Sequence, residues 1–162
     1  EDLAIVTGRG DERLVNLSGA GPMVAEENIV VIGIRADDVY LDEVAMLAIA
    51  VHTSEDVSRK GPEAVAGQAL DVVTGETDGF WVHLDFDVVD ADEMPAVDSP
   101  APNGLSFAQL GEVVGPILAS PACVGMELTI YDPDLDDDGR YGDAIVGFLE
   151  EVFEREPAEG VS

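Results

Sequence analysis

The sequence predicts an α/β fold: a three-layer α/β/α arrangement around a mostly parallel sheet. Three observations carry this reading. Four short, apolar, β-branched runs recur along the chain, each with polar flanks. Their near-continuous hydrophobicity suits strands buried on both faces. Stretches with apolar residues at helical spacing separate them, and strand–helix alternation implies right-handed crossovers with helices covering a parallel sheet.

Taken in order, the first strand is "NIVVIGI" at 28–34, followed by a short helical pattern, "LDEVAML", at 41–47. The second strand is "LAIAVHT" at 47–53. A helix is expected over "PEAVAGQALDVV" at 62–73, then a third strand over "GFWVHLDF" at 79–86. In "SFAQLGEVVGPILAS", 106–120, Ser106 is suited to an N-cap, and Pro116 is expected to kink or shorten the helix. "CVGMELTI" at 123–130 is the fourth strand, and "YGDAIVGFLEEVF" at 141–153 is the closing helix. There are no internal repeats, so residues 1–162 read as one unit, with 157–162 expected to fray.

Composition excludes several functions. With 35 acidic against 7 basic residues, the formal net charge is -28, and Lys60 is the sole lysine. A nucleic-acid binder with a basic surface is therefore excluded. No apolar run is long enough for a membrane span, and the first residues lack a signal-peptide pattern. The single cysteine, Cys123, cannot form an internal disulfide and fits a reducing compartment. Such an acid excess repels itself unless salt screens it. A cytoplasmic protein is expected, with either a salt-rich cytoplasm or an ordinary acidic surface behind the charge. At 46% hydrophobic residues, the chain is not expected to be disordered.

The third strand ends on Asp85 and Asp87. Ligands of open α/β sheets sit beyond the carboxyl ends of strands, and strand residues two apart share a face. Two carboxylates on one face repel unless a cation compensates them. Oxygen donors alone point to Mg²⁺, Mn²⁺ or Ca²⁺. In so acidic a chain, Asp-x-Asp also arises by chance. The turn carrying Asp132, Asp134 and Asp136 is expected to be such a solvated copy.

The residues after the pair are more specific. Asp85, Asp87 and Asp90 are succeeded by Pro95, Pro100, Gly104, Leu105 and Ser106, with Asn103 at the first position of a Gly-Gly-Leu-Thr/Ser-like turn. This run of about two dozen residues resembles the ureohydrolase family of arginases, agmatinases and formiminoglutamases. "VVIGIRADD" looks like the family's Gly-Ile/Leu-Arg turn, and "VGMELTIYDPDLD" like its last strand. "EDLAIVTGRG" resembles the stretch after the family's His-Gly loop, so the chain reads as the C-terminal part of one arginase-like domain.

The resemblance implies two manganese ions sharing a water that attacks a guanidinium or amidine carbon. It makes Asp85 the ligand bridging both ions and Asp87 a ligand of one. It implies a small-molecule guanidino or amidine substrate and a homo-oligomer. It also places Asp38 where an aspartate contacts the substrate's amino group, although neighbouring Asp37 leaves that register open. Phe86 is expected in the core and His83 as a packed strand histidine. The family's remaining ligands, in Gly-Gly-x-His and Asp-Ala-His-x-Asp segments, have no counterpart here, since His52 and His83 are the only histidines. The isolated chain is therefore expected to be inactive. Ile130 stands where the family's guanidinium-binding glutamate is expected, and Glu127 falls on the opposite face. Without that carboxylate, a charge-assisted bond worth about 1.5–3 kcal/mol is lost. A non-catalytic scaffold or regulatory member is the alternative reading, and an unrelated Mg²⁺- or Ca²⁺-binding domain a third.

Overall fold

The structure, a computed structural model, describes residues 2–17, 19 and 21–154. The tail expected to fray at 157–162 lies outside these residues. The chain opens with two short helices, α1 (Asp2–Val6) and α2 (Glu12–Val15), the second capped by Asp11, which accepts the Arg13 N–H at 2.9 Å. Neither helix is signalled by a long apolar period. Strand β1 (Val30–Ile34), helix α3 (Leu41–Val44) and strand β2 (Ala50–Thr53) come next. The two strands pair in parallel, Ile32 opposite His52, with a register shift at Gly33.

Helix α4 (Ser54–Lys60) begins at once, because Thr53 and Asp56 form a reciprocal capping box. Helix α5 (Pro62–Val73) starts on Pro62, whose missing N–H costs nothing in a first turn. Strand β3 (Phe80–Asp85) runs into a single 3-10 turn over Phe86–Val88. Helix α6 (Phe107–Leu118) is capped by Ser106 with Gln109. Pro116 lies inside its last turn, so the helix continues only to Leu118. Strand β4 (Cys123–Thr129) pairs in parallel with β3, and helix α7 (Arg140–Glu154) closes the chain.

The α/β class and the parallel strands hold. Among the described residues the strands form two pairs, β1–β2 and β3–β4. The expectation of strands buried on both faces does not hold for β3 or β4; in β4 Val124 is 68% exposed. Leu84 is buried, but Trp81 is 56% exposed and His83 is exposed as well. The reason is packing. Helices α6 and α7 supply the buried residues around Leu84, whereas on the other side the Trp81 ring lies across Gly125 and His83 and Glu127 stand exposed. A Cβ on Gly125 would sit 2.4 Å from that ring.

The main core joins the two halves of this packing. Phe86, Phe107 and Phe148 meet with ring centroids 6.0–6.4 Å apart. Leu84, Met94, Val97, Leu105 and Val113 close around them. Helix α7 contributes Ile145, Phe148 and Val152, positions that share one helical face. Phe86 is 1% exposed, the core position expected for it, although it lies in the 3-10 turn just past β3.

Candidate metal centre

Strand β3 delivers Asp85 and Asp87 at its carboxyl end, by two different devices. Asp85 is the last residue of the ladder, opposite Thr129 of β4. The Thr129 hydroxyl donates to Asp85 Oδ1. His83 Nε2 lies 3.3 Å from that same oxygen. Both contacts fall on Oδ1, so neither engages Oδ2. Asp87 lies beyond the ladder, in the 3-10 turn that buries Phe86. Burial and the neighbouring Asp85 charge push the Asp87 carboxyl up; Arg35 opposes this and Asp98 adds to it. Its proton affinity is raised for the same reason that a cation would be welcome there.

His83 is not the packed strand histidine that alternation suggests. Its side chain is 41% exposed and lies between two carboxylates, with Nδ1 2.9 Å from Glu127 Oε1. Desolvation lowers its basicity, but the Glu127 hydrogen bond and the charges of Asp85 and Glu127 outweigh that and raise it. His52, in contrast, is buried at 8% exposure, with Nδ1 3.3 Å from Lys60 Nζ. Burial first, and then the Lys60 charge, lower its pKa, with the Asp56 charge opposing them.

The loop after the pair is tied down by Asp90, whose carboxylate accepts the Asp92 N–H at 3.0 Å and the Gly104 N–H at 3.1 Å. Those bonds, led by the one from Asp92, hold its pKa down. Glu93 accepts the Phe107 N–H at 2.8 Å, in the first turn of α6. Arg35, at the end of β1, donates to the carbonyl of Asp87 itself at 2.8 Å. In the sequence Arg35 stands in a recognisable turn, with nothing nearby to signal a role. Asp38 lies in the exposed loop after β1, and its Oδ1 accepts the Tyr40 N–H at 2.8 Å.

Ile130 sits just past β4 with φ 76, an uncommon conformation for a β-branched residue. It lines an open cavity of about 300 Å³ with Phe86, Leu128, Thr129, Tyr131 and Ile145. Glu127 lies on the other face, beside His83, as alternation requires. The acidic turn after β4 is not uniformly solvated. Asp136 is 7% exposed and accepts from the Tyr131 hydroxyl at 2.9 Å and the Gly142 N–H at 2.8 Å. It anchors the start of α7, which a pattern of alternating acids does not reveal.

The donor set is hard and anionic, which suits Mn²⁺, but it is small. No group of three or more His, Cys, Asp or Glu among the described residues could hold a metal ion. Two carboxylates fit half of a site and do not close one. Nor is any helix among the described residues long and apolar enough to cross a membrane.

Known proteins resemble this chain in sequence and fold. The chain is 30% identical over 155 residues to the arginase of Bacillus subtilis (strain 168), a match covering 93% of this chain and 51% of that protein. Its structure superimposes on the crystal structure of arginase from Bacillus subtilis with a TM-score of 0.85 at 28% identity, covering 95% of this chain and 54% of that one. A formimidoylglutamase of Bacillus subtilis (strain 168) is 32% identical over 88 residues, covering 54% of this chain and 28% of that protein. The chain thus spans about half the length of the arginases it matches. The Arginase family model matches residues 18–153, and the chain belongs to that family.

Proposed function

We propose that this chain carries one part of a binuclear manganese site that hydrolyses a linear C–N bond in a guanidino or amidine compound. The carrying observation is the Asp85–Asp87 pair at the end of β3, with the Asp87 carboxyl raised by burial and by its neighbour. Bound manganese lowers the pKa of water and stabilises developing negative charge. Thr129 and His83 orient Asp85 through Oδ1 and leave Oδ2 for a metal. In that reading Asp85 and Asp87 would hold the metal, Asp85 as the ligand shared between two ions and Asp87 as a ligand of one. Asp38 is the candidate contact for a substrate amino group. The remaining donors must come from outside the described residues, because two carboxylates and water hold an ion weakly. A cytoplasmic homo-oligomer remains the setting we propose.

The substrate is left open between arginine-like and formimino compounds. Ile130 offers no charge to a guanidinium. The same residue supports a second reading, a family member that has become a non-catalytic scaffold.

The test assays these 162 residues with excess Mn²⁺ against arginine, agmatine and formiminoglutamate. The assay is run alone and mixed with polypeptide carrying Gly-Gly-x-His and Asp-Ala-His-x-Asp segments. Turnover only in the mixture, lost in Asp85→Asn, is the expected result. Turnover by the chain alone removes the need for outside donors. Manganese binding without turnover on any substrate favours the scaffold.

A further inference from the structure

The Arg35 side chain has an environment unlike that of any other cation among the described residues. All six of its acceptors are backbone carbonyls, drawn from three separate segments. Asp87 O lies at 2.8 Å, Val88 O at 3.1 Å and Val89 O at 3.1 Å, all at the exit of β3. Ala101 O at 3.3 Å and Pro102 O at 3.4 Å come from the returning loop, and Gly33 O at 3.3 Å from β1. Three consecutive carbonyls converge on one group only where the chain turns sharply, as it does in the 3-10 turn over Phe86–Val88. A planar fork of five N–H donors can serve them together; an ammonium cannot span them.

The socket is closed by two glycines. A Cβ on Gly104 would lie 2.5 Å from Arg35 Nη2 and 2.6 Å from the Val89 carbonyl carbon. Gly33 has φ +91, and its Cβ would lie 2.3 Å from a Val88 methyl. The β3 exit is therefore packed closely against the end of β1, with the Val88 side chain over Gly33. Asp85 does not need this packing, because the ladder and Thr129 already hold it. Asp87 does, since it stands past the last ladder residue.

We infer that Arg35 is a positioning residue for Asp87: its fork fixes the β3 exit so that the Asp87 carboxylate is presented to a metal beside Asp85. This rests on the metal reading of that pair. The rival account is that any positive charge near two aspartates would serve.

The experiment titrates the full chain with Mn²⁺ and tracks paramagnetic broadening of its amide resonances, which registers even weak binding. Melting in EDTA is run alongside. In the wild type, the amides around Asp85 and Asp87 should broaden first, and Asp87→Asn should abolish that selectivity. Arg35→Lys and Arg35→Met should both need about tenfold more Mn²⁺, the usual loss when a group supporting a ligand is removed. Wild-type behaviour in Arg35→Lys would overturn the inference, because charge alone would then suffice. Equal broadening in wild type and Asp87→Asn would instead remove the metal reading. Should the Arg35 variants fail to fold, amide exchange in the wild type decides. The Asp90 N–H, bonded to Leu105 O at 2.9 Å, and the Leu105 N–H, bonded to Val88 O at 3.0 Å, should open together with β1. Faster opening, independent of β1, would show that Arg35 does not key the segment.

Discussion

Asp87 and Asp136 belong to similar acidic stretches, each with aspartates two apart, yet the fold treats them in opposite ways. Asp136 is buried at 7% exposure. Burial alone would raise its pKa, but bonds from the Gly142 N–H, the Tyr131 hydroxyl and the Tyr141 N–H outweigh burial and lower it. Asp87 is also partly buried, beside Asp85, and its pKa is raised. The first carboxylate has its compensation built in and serves structure. The second is only partly offset, by the Arg35 charge, and its net shift stays upward. Acidity in itself says nothing about function; the balance of donors around each oxygen does.

The sharpest way to break this comparison is to remove what holds the β3 end in place. Phe86→Ala deletes a ring that is 1% exposed and touches both Phe107 and Phe148. It should cost about 3–5 kcal/mol in urea unfolding. A loss under about 1 kcal/mol, far below that range, would mean that the strand end is not seated as described.

Next in size, Asp85→Asn should weaken Mn²⁺ binding on the order of 100-fold, since it removes half of a two-carboxylate set. Asp136→Asn should leave manganese affinity unchanged. It should instead lower the melting temperature by on the order of 5 °C, as loss of a helix anchor does. Equal metal loss in the two variants would erase the distinction between the two sites.

The smallest effect is in pH dependence, and its sign differs between the two residues. The unfolded pKa of each is about 3.9. Asp136 has a lowered folded pKa, so its stabilisation is present above about pH 4 and is lost as pH falls through the folded value. Asp87 has a raised folded pKa, so its contribution is present below about pH 4 and is lost as pH rises through the folded value. Urea midpoints from about pH 2 to 7 should show the acid limb flattened in Asp136→Asn and the limb above about pH 4 flattened in Asp87→Asn. The same limb flattening in both variants would contradict the opposite pKa shifts of the two residues.

Much of the site is legible in the amino-acid order. Asp85 and Asp87 stand two apart at the end of an apolar run, but the strand stops at Asp85, and it is the 3-10 turn over Phe86–Val88, not period-two alternation, that buries Phe86. The helix at 62–73 is equally readable from its apolar spacing, and the one expected over 106–120 from the Ser106 cap, although it ends at Leu118. Helix α4 is not, because its seven residues are polar apart from Val57 and rely on the Thr53–Asp56 cap. The exposure of His83 is not legible either, since alternation states which residues share a face but not which face is covered.

By itself, then, the sequence determined the α/β class, the parallel strands and the aspartate pair. Each rests on periodicity or local chemistry within a few residues. Only the tertiary structure decided that Asp136 is a helix anchor, that His83 stands open between Glu127 and Asp85, and that Arg35 grips the Asp87 carbonyl. The Arg35–Asp87 bond joins residues 52 apart, and the His83–Glu127 contact residues 44 apart. Such contacts form only when separate elements pack, and burial, which sets the sign of a carboxylate's pKa shift together with its donors, is a property of that packing.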